Sequence, residues 1–311
     1  MMVLGLRQLA HAVHERQRVD ERVELERALE GVVDLSPAFG SHGTSIYDRP
    51  AMTVSTENAP GAVGGRRAGR ELLLVSVFGP LSNALVPWLQ RAKVPPPAVV
   101  LANAATGLVA ALAIVRGEPI AAAVLLQLKT LLDNMDGKLA RASGRVTLTG
   151  RYLDTIADLV VNAAVFVALG YVTGQPILAA AAFVALTVVL AVDFNVTELY
   201  RETNGSPARE PQPTGNRVER ILAAAYGVVF ASLDRAVRSL ALRRFGSHAS
   251  YDRFTVTVLA NLGLTTQLAV LGACLVLSAP SAYLWLVLAC LLALVPLQLR
   301  AERRARAETA S

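Results

Sequence analysis

The sequence predicts an all-α integral membrane protein with six transmembrane helices and a further N-terminal helix lying in the membrane interface. Of its 311 residues, 53% are hydrophobic and only 17% charged, whereas a soluble domain carries about 25% charge. The apolar residues collect in six runs of roughly 20, the length needed to cross about 30 Å of hydrocarbon as a helix. This composition excludes a disordered chain, a collagen-like chain and a disulfide-rich secreted scaffold. Cys274 and Cys290 both sit inside apolar runs, so they read as packing thiols and not as a disulfide or zinc framework.

Residues 1–70 read as a partly disordered extension. Leu6 to Val33 is charged with some helical periodicity, and Ser36 to Gly69 is a linker rich in Gly, Pro, Ser and Thr. No signal peptide is expected, and Met52 is an equally good start of translation. Residues 71–94 mix apolar positions with Gly79, Pro80, Ser82 and Asn83 and place Trp88 at headgroup level, which suits an interfacial helix. The six spans fall near 97–116, 118–140, 152–173, 177–199, 255–278 and 281–300, within a membrane domain of 95–303 followed by a tail of 304–311. Turn chemistry at Gly117-Glu118-Pro119, Gly174-Gln175-Pro176 and Ala279-Pro280 folds successive spans into tight antiparallel pairs. An insert of about 202–254 separates spans four and five. Within it, Val218 to Phe245 alternates apolar residues with arginines and reads as one amphipathic helix on the membrane surface.

Basic residues set the orientation. Lys93, Lys138, Arg141, Arg145, Arg201 and Arg300 fall on one side, and Arg116 on the other. By the positive-inside rule both termini, the loop between spans two and three and the 202–254 insert face the cytoplasm. The expected setting is the bacterial plasma membrane. The net charge of +6 belongs to that face and attracts anionic headgroups and phosphorylated substrates. No nucleic-acid partner is expected, since the charges flank apolar spans without interleaved aromatics. His11, His14, His42 and His248 show no spacing for catalysis or metal binding.

The second span ends with Asp133, Asp136, Gly137, Lys138 and Arg141, and the third opens with Gly150, Arg151, Asp154 and Asp158. Spacings of three and four put each aspartate pair on one side of its helix, and a short connection brings both pairs to the same depth. A carboxylate at membrane depth is costly, about 2.5–3.5 kcal/mol at a helix centre. Four together must take up protons or hold cations. All-oxygen ligation selects Mg2+ or Mn2+, ions that also bind phosphates. The competing reading pairs the aspartates with Lys129, Lys138, Arg141 and Arg151, but it gives no reason for glycine at both Gly137 and Gly150.

Asp133 to Asp158 reads DxxDGxxARx8GxxxDxxxD without departure, and in this the chain resembles the CDP-alcohol phosphotransferase family. The resemblance implies a dimeric six-helix membrane enzyme. It would move a phosphatidyl-type group from a CDP-linked donor such as CDP-diacylglycerol to an alcohol, in phospholipid biosynthesis, with release of CMP. Asp133, Asp136 and Asp154 would ligand a divalent metal, and Asp158 would complete a second metal position and serve as base. Gly137, Ala140, Arg141 and Gly150 would shape the nucleotide site, with Arg141 on the pyrophosphate. Two ions can neutralise a pyrophosphate and both reacting oxygens. The N-terminal end of the third span adds a dipole favourable to anions.

Some positions depart from the family. Pro95-Pro96-Pro97-Ala98 opens the first span where many members have Pro-Asn and Thr, and Thr155 and Leu159 stand where phosphatidylglycerophosphate synthases often carry Pro and Lys. The acceptor alcohol is therefore open. For a phosphorylated acceptor, Arg201, Arg217, Arg220 and Lys129 are candidate cations, and Asp193 and Glu198 candidate contacts. The alternatives are a carboxylate-lined cation transporter, which would place its polar groups near the membrane midplane, and a catalytically silent membrane scaffold.

Overall fold

The computed structural model describes residues 69–204, 211–245 and 251–309; the expected extension, with Met52, lies outside them. The regular elements among the described residues are helices. A π-helical turn, Leu74–Phe78, runs into α1 (Gly79–Arg91). There follow α2 (Pro96–Val115), α3 (Pro119–Ala142), α4 (Leu148–Thr173), α5 (Pro176–Thr203), α6 (Arg217–Val229), α7 (Ala231–Phe245), α8 (Arg253–Asn261), α9 (Leu264–Val276) and α10 (Pro280–Thr309). Proline opens α2, α3 and α5, a position where its fixed φ suits the helix and its missing N–H costs nothing. Gly174 closes α4 in the left-handed region at φ 66° and donates its N–H to the carbonyls of Gly170 and Tyr171. That conformation is cheap only for glycine.

Five units are long and apolar enough to cross a membrane: α2, α4, α5, α8 with α9, and α10. The protein is therefore an integral membrane protein. The remaining run predicted to span is α3. It has 24 residues, about 36 Å at 1.5 Å per residue, but it carries Lys129 near its middle and Asp133, Asp136, Lys138 and Arg141 in its second half. It packs against α1, α2 and α9, while α2 packs against both α3 and α4.

Apolar burial does not drive helices together in lipid, so close fit has to. Ala110 and Ile114 of α2, Leu126 of α3, Val161 and Leu169 of α4, Leu186 of α5, Leu271 of α9 and Leu284 of α10 form one buried cluster. Ala122, Ala182 and Ala185 are wholly or almost wholly buried and let backbones approach. Val167, Ile177 and Leu292 point outward from the same bundle, as lipid-facing residues should.

Two expectations are corrected. The fifth span is not one continuous helix: it breaks at Leu262-Gly263. Just before the break, the Asn261 amide donates to the carbonyls of Thr257 and Arg70 and accepts from Leu72 N–H. The single amphipathic helix expected over Val218 to Phe245 is two helices broken at Phe230. Its halves are packed on the bundle, α6 against α4 and α7 against α5. The N-terminal helix also has a protein partner, since Val86 of α1 packs with Val99, Met135 and Leu139, while Trp88 stays exposed.

The tightest approach is at Gly107 of α2, where any Cβ would collide with Val161 Cγ1 of α4. Valine cannot easily rotate away. Gly107→Val should therefore destabilise the protein by about 1–3 kcal/mol, read as a lowered thermal midpoint in detergent. An unchanged midpoint would contradict this packing.

Candidate metal centre

Asp133 from the second half of α3 and Asp154 and Asp158 from the first half of α4 bring carboxylate oxygens within 4.8 Å of one another. Asp136, one helical turn beyond Asp133, is buried but stands outside that trio. Asn103 Nδ2, from α2, donates to Asp133 Oδ1 at 3.2 Å. Lys129 Nζ donates to Asp158 Oδ1 at 2.7 Å from a fully buried side chain, while the Asp158 side chain keeps 23% exposure. Asp136 Oδ2 and Asp154 Oδ1 are buried without a hydrogen-bond partner among the described residues.

The start of α4 is held firmly, and this fixes the height of Asp154 and Asp158. Thr147 caps the helix by accepting from Gly150 N–H at 3.1 Å. Leu148 N–H donates to the Gln212 carbonyl and Gln212 N–H to the Val146 carbonyl, both at 2.9 Å. Glu219 at the start of α6 completes the clasp. Its carboxylate accepts from the Thr214 hydroxyl at 2.7 Å, Thr214 N–H at 2.8 Å and the Thr149 hydroxyl at 3.1 Å. Asn216 accepts from Glu219 N–H at 2.7 Å, so α6 is capped by the same turn.

The basic residues set against the aspartates in sequence go to different places. Lys129 reaches Asp158, but Lys138 donates to the Gly79 carbonyl, Ser82 Oγ and Asn83 Oδ1 of α1 at 2.9, 2.5 and 2.7 Å. Arg151 lies over the Phe194 ring at 5.3 Å. Arg141 is exposed and folds toward Gly137, where a Cβ would stand 3.3 Å from Nη1. Gly150 likewise has a local duty, since a Cβ there would press on the capping Thr147 hydroxyl at 3.2 Å. Ala140 lies half-buried between them. Of the acceptor candidates, Arg201 pairs with Glu198 at 3.0 Å, which is the bland role. Asp193 lies against the Gly263 break, and Arg217 and Arg220 sit in the first turn of α6. Asn103 escaped the sequence reading. Its signal was a lone amide within the apolar run Leu101-Ala102-Asn103-Ala104.

Residues 94–242 match the family model for CDP-alcohol phosphatidyltransferase. This segment is a CDP-alcohol phosphatidyltransferase domain. A stretch of 135 residues is 33% identical to a protein of Thermococcus kodakarensis named "Bifunctional IPC transferase and DIPP synthase", covering 42% of this chain and 31% of that protein. The chain thus spans about a third of that relative's length. No solved structure matches the chain.

The phosphatidyltransferase domain contains the whole carboxylate cluster, and the donor set suits a hard divalent cation. Its atoms are oxygens only, they come from two helices, and two are buried without partners. The clasp that sets this geometry should respond to acid. Hydrogen bonds from the Thr214 hydroxyl and N–H hold the Glu219 carboxyl below its usual range. A depressed folded value adds stability that is present above the unfolded glutamate value, about 4.3, and is lost as pH falls through the folded one. The gap in thermal midpoint between the wild type and Glu219→Gln should therefore be widest near neutrality and shrink below about pH 4. A gap that is constant or widens in acid would contradict this.

Proposed function

We propose that the protein is a membrane-embedded transferase. It moves a phosphatidyl or similar substituted phosphate group from a CDP-alcohol, such as CDP-diacylglycerol, to an alcohol acceptor, in phospholipid synthesis. The observation that carries this reading is the convergence of Asp133, Asp154 and Asp158 oxygens within 4.8 Å, inside a segment matching the phosphatidyltransferase model. Asp133, Asp136 and Asp154 would hold Mg2+ or Mn2+, with Asp158 beside them as a further ligand and as base. Two bound ions would supply charge neutralisation for the donor's pyrophosphate.

The remaining work belongs to the chain's own groups. Asp158 takes the proton of the acceptor hydroxyl as that oxygen attacks the phosphorus bearing the transferred alcohol. The bond from this phosphorus to the bridging oxygen breaks, and CMP leaves with the electron pair. Arg141, exposed at the end of α3 beside Gly137, binds the pyrophosphate. Positioning and charge stabilisation are the main needs of phosphoryl transfer, and helices locked by caps and clasps supply the first. The reading includes a homodimer, a membrane domain of 95–303, and both termini and the active site on the cytoplasmic side. The relative's name associates it with transferase and synthase activities, in keeping with this class of reaction.

Purified protein in lipid with CDP-diacylglycerol and Mg2+ should release CMP when a panel of polar alcohols is added, and mass analysis of the lipid product would name the acceptor. Ion flux without CMP would favour transport. In Asp158→Asn, cation-dependent donor binding should persist while turnover falls by about 10²–10⁴-fold. Loss of folding in that variant would assign Asp158 a structural role.

A further inference from the structure

We propose that Lys129 is a resident cation of the carboxylate cluster and a positioning residue. It claims one oxygen of Asp158 and so commits that side chain to proton transfer, leaving divalent ions to Asp133, Asp136 and Asp154. The inference rests on the reading given under Proposed function and decides between the two duties assigned there to Asp158.

Three observations carry it. Lys129 has no exposure, and its Nζ lies 2.7 Å from Asp158 Oδ1. A buried ammonium without a partner is strongly unfavourable, so Asp158 is bound to Lys129 before any metal or substrate arrives. The lysine stem also has a built channel. At Gly107 of α2 a Cβ would stand 3.3 Å from Lys129 Cδ, so the glycine that admits Val161 also leaves room for the stem. Finally, two other basic residues of the motif are engaged elsewhere: Lys138 with α1 and Arg151 over Phe194. Lys129 lies four residues before Asp133, on the same face of α3, and reaches across to α4. One residue thus ties together the two helices that carry the carboxylates.

A carboxylate with one oxygen held at 2.7 Å by an ammonium cannot chelate an ion through both oxygens. Its remaining oxygen has a fixed direction, as a proton acceptor needs. A fixed positive charge in the cluster also repels an incoming divalent cation. Removing Lys129 should therefore free Asp158 to ligate metal. Metal binding would strengthen while turnover weakened.

The test is Mn2+ titration of purified protein without substrate, followed by paramagnetic resonance, alongside steady-state CMP release. For Lys129→Met, the expected result is Mn2+ binding about tenfold tighter, with kcat about 10²-fold lower and the donor KM nearly unchanged. Lys129→Arg keeps the charge but carries a longer, forked head, which displaces Asp158. It should leave Mn2+ affinity within about threefold of the wild type and still lower kcat about tenfold or more. Weaker or unaltered Mn2+ binding in Lys129→Met would overturn the proposal, as would wild-type turnover in Lys129→Arg. If Lys129→Met does not fold, the arginine variant decides alone. A wild-type protein that releases no CMP would sink the transferase reading but leave the Mn2+ comparison able to judge Lys129.

Discussion

Asp133, Asp154 and Asp158, all partly buried, bring carboxylate oxygens within 4.8 Å of one another, with Asp136 one turn away, so like charges are crowded together. Among the described residues, the hydrogen bonds set against this trio come from the Lys129 ammonium and the Asn103 amide. Neither is enough to balance four carboxylates, and buried oxygens of Asp136 and Asp154 are left over. A protein that needed only apolar packing here would carry alanine or leucine. The cluster is instead a donor set that could hold a hard divalent cation, and under the proposed function such cations would in turn attract phosphates.

The rest of the bundle keeps these groups in place. Helix α2 lies against both α3 and α4; Gly107 allows the approach and Asn103 reaches the cluster from the same helix. The α6 clasp fixes the first turn of α4 through Gln212, Thr214 and Glu219. Lys138 fastens α1 to α3 from within the Asp133–Asp158 motif itself. Side chains on helices anchored at their ends hold a site more precisely than loops do, and in the proposed transfer, governed by positioning, that precision would matter to the rate.

Much of this was legible in the sequence. The apolar runs gave five candidate spans to within a few residues, because the length of hydrocarbon fixes the length of helix. The spacing of Asp133, Asp136, Asp154 and Asp158 put each pair on one side of its helix, because three- and four-residue steps share a helix face, and Asp133, Asp154 and Asp158 do converge. The breaks at Leu262-Gly263 and Phe230 were not legible. The first is accompanied by a tertiary contact, Asn261 docking the backbone of residues 70–72. The second lies in a segment whose periodicity continues across it, and the partners of Tyr226 and Asp234 emerge only on folding. The duty of Asn103 was hidden for the same reason: its partner Asp133 lies on another helix, at a separation that no local pattern encodes.

The central claim is that the aspartates meet because divalent cations complete them. Anomalous X-ray diffraction from crystals of the wild-type protein grown with Mn2+ tests it most directly. A metal peak enclosed by Asp133 and Asp154, and absent from Asp154→Asn crystals, is the result predicted. Mn2+ bound elsewhere, or carboxylates unchanged and empty at saturating metal, would contradict the account.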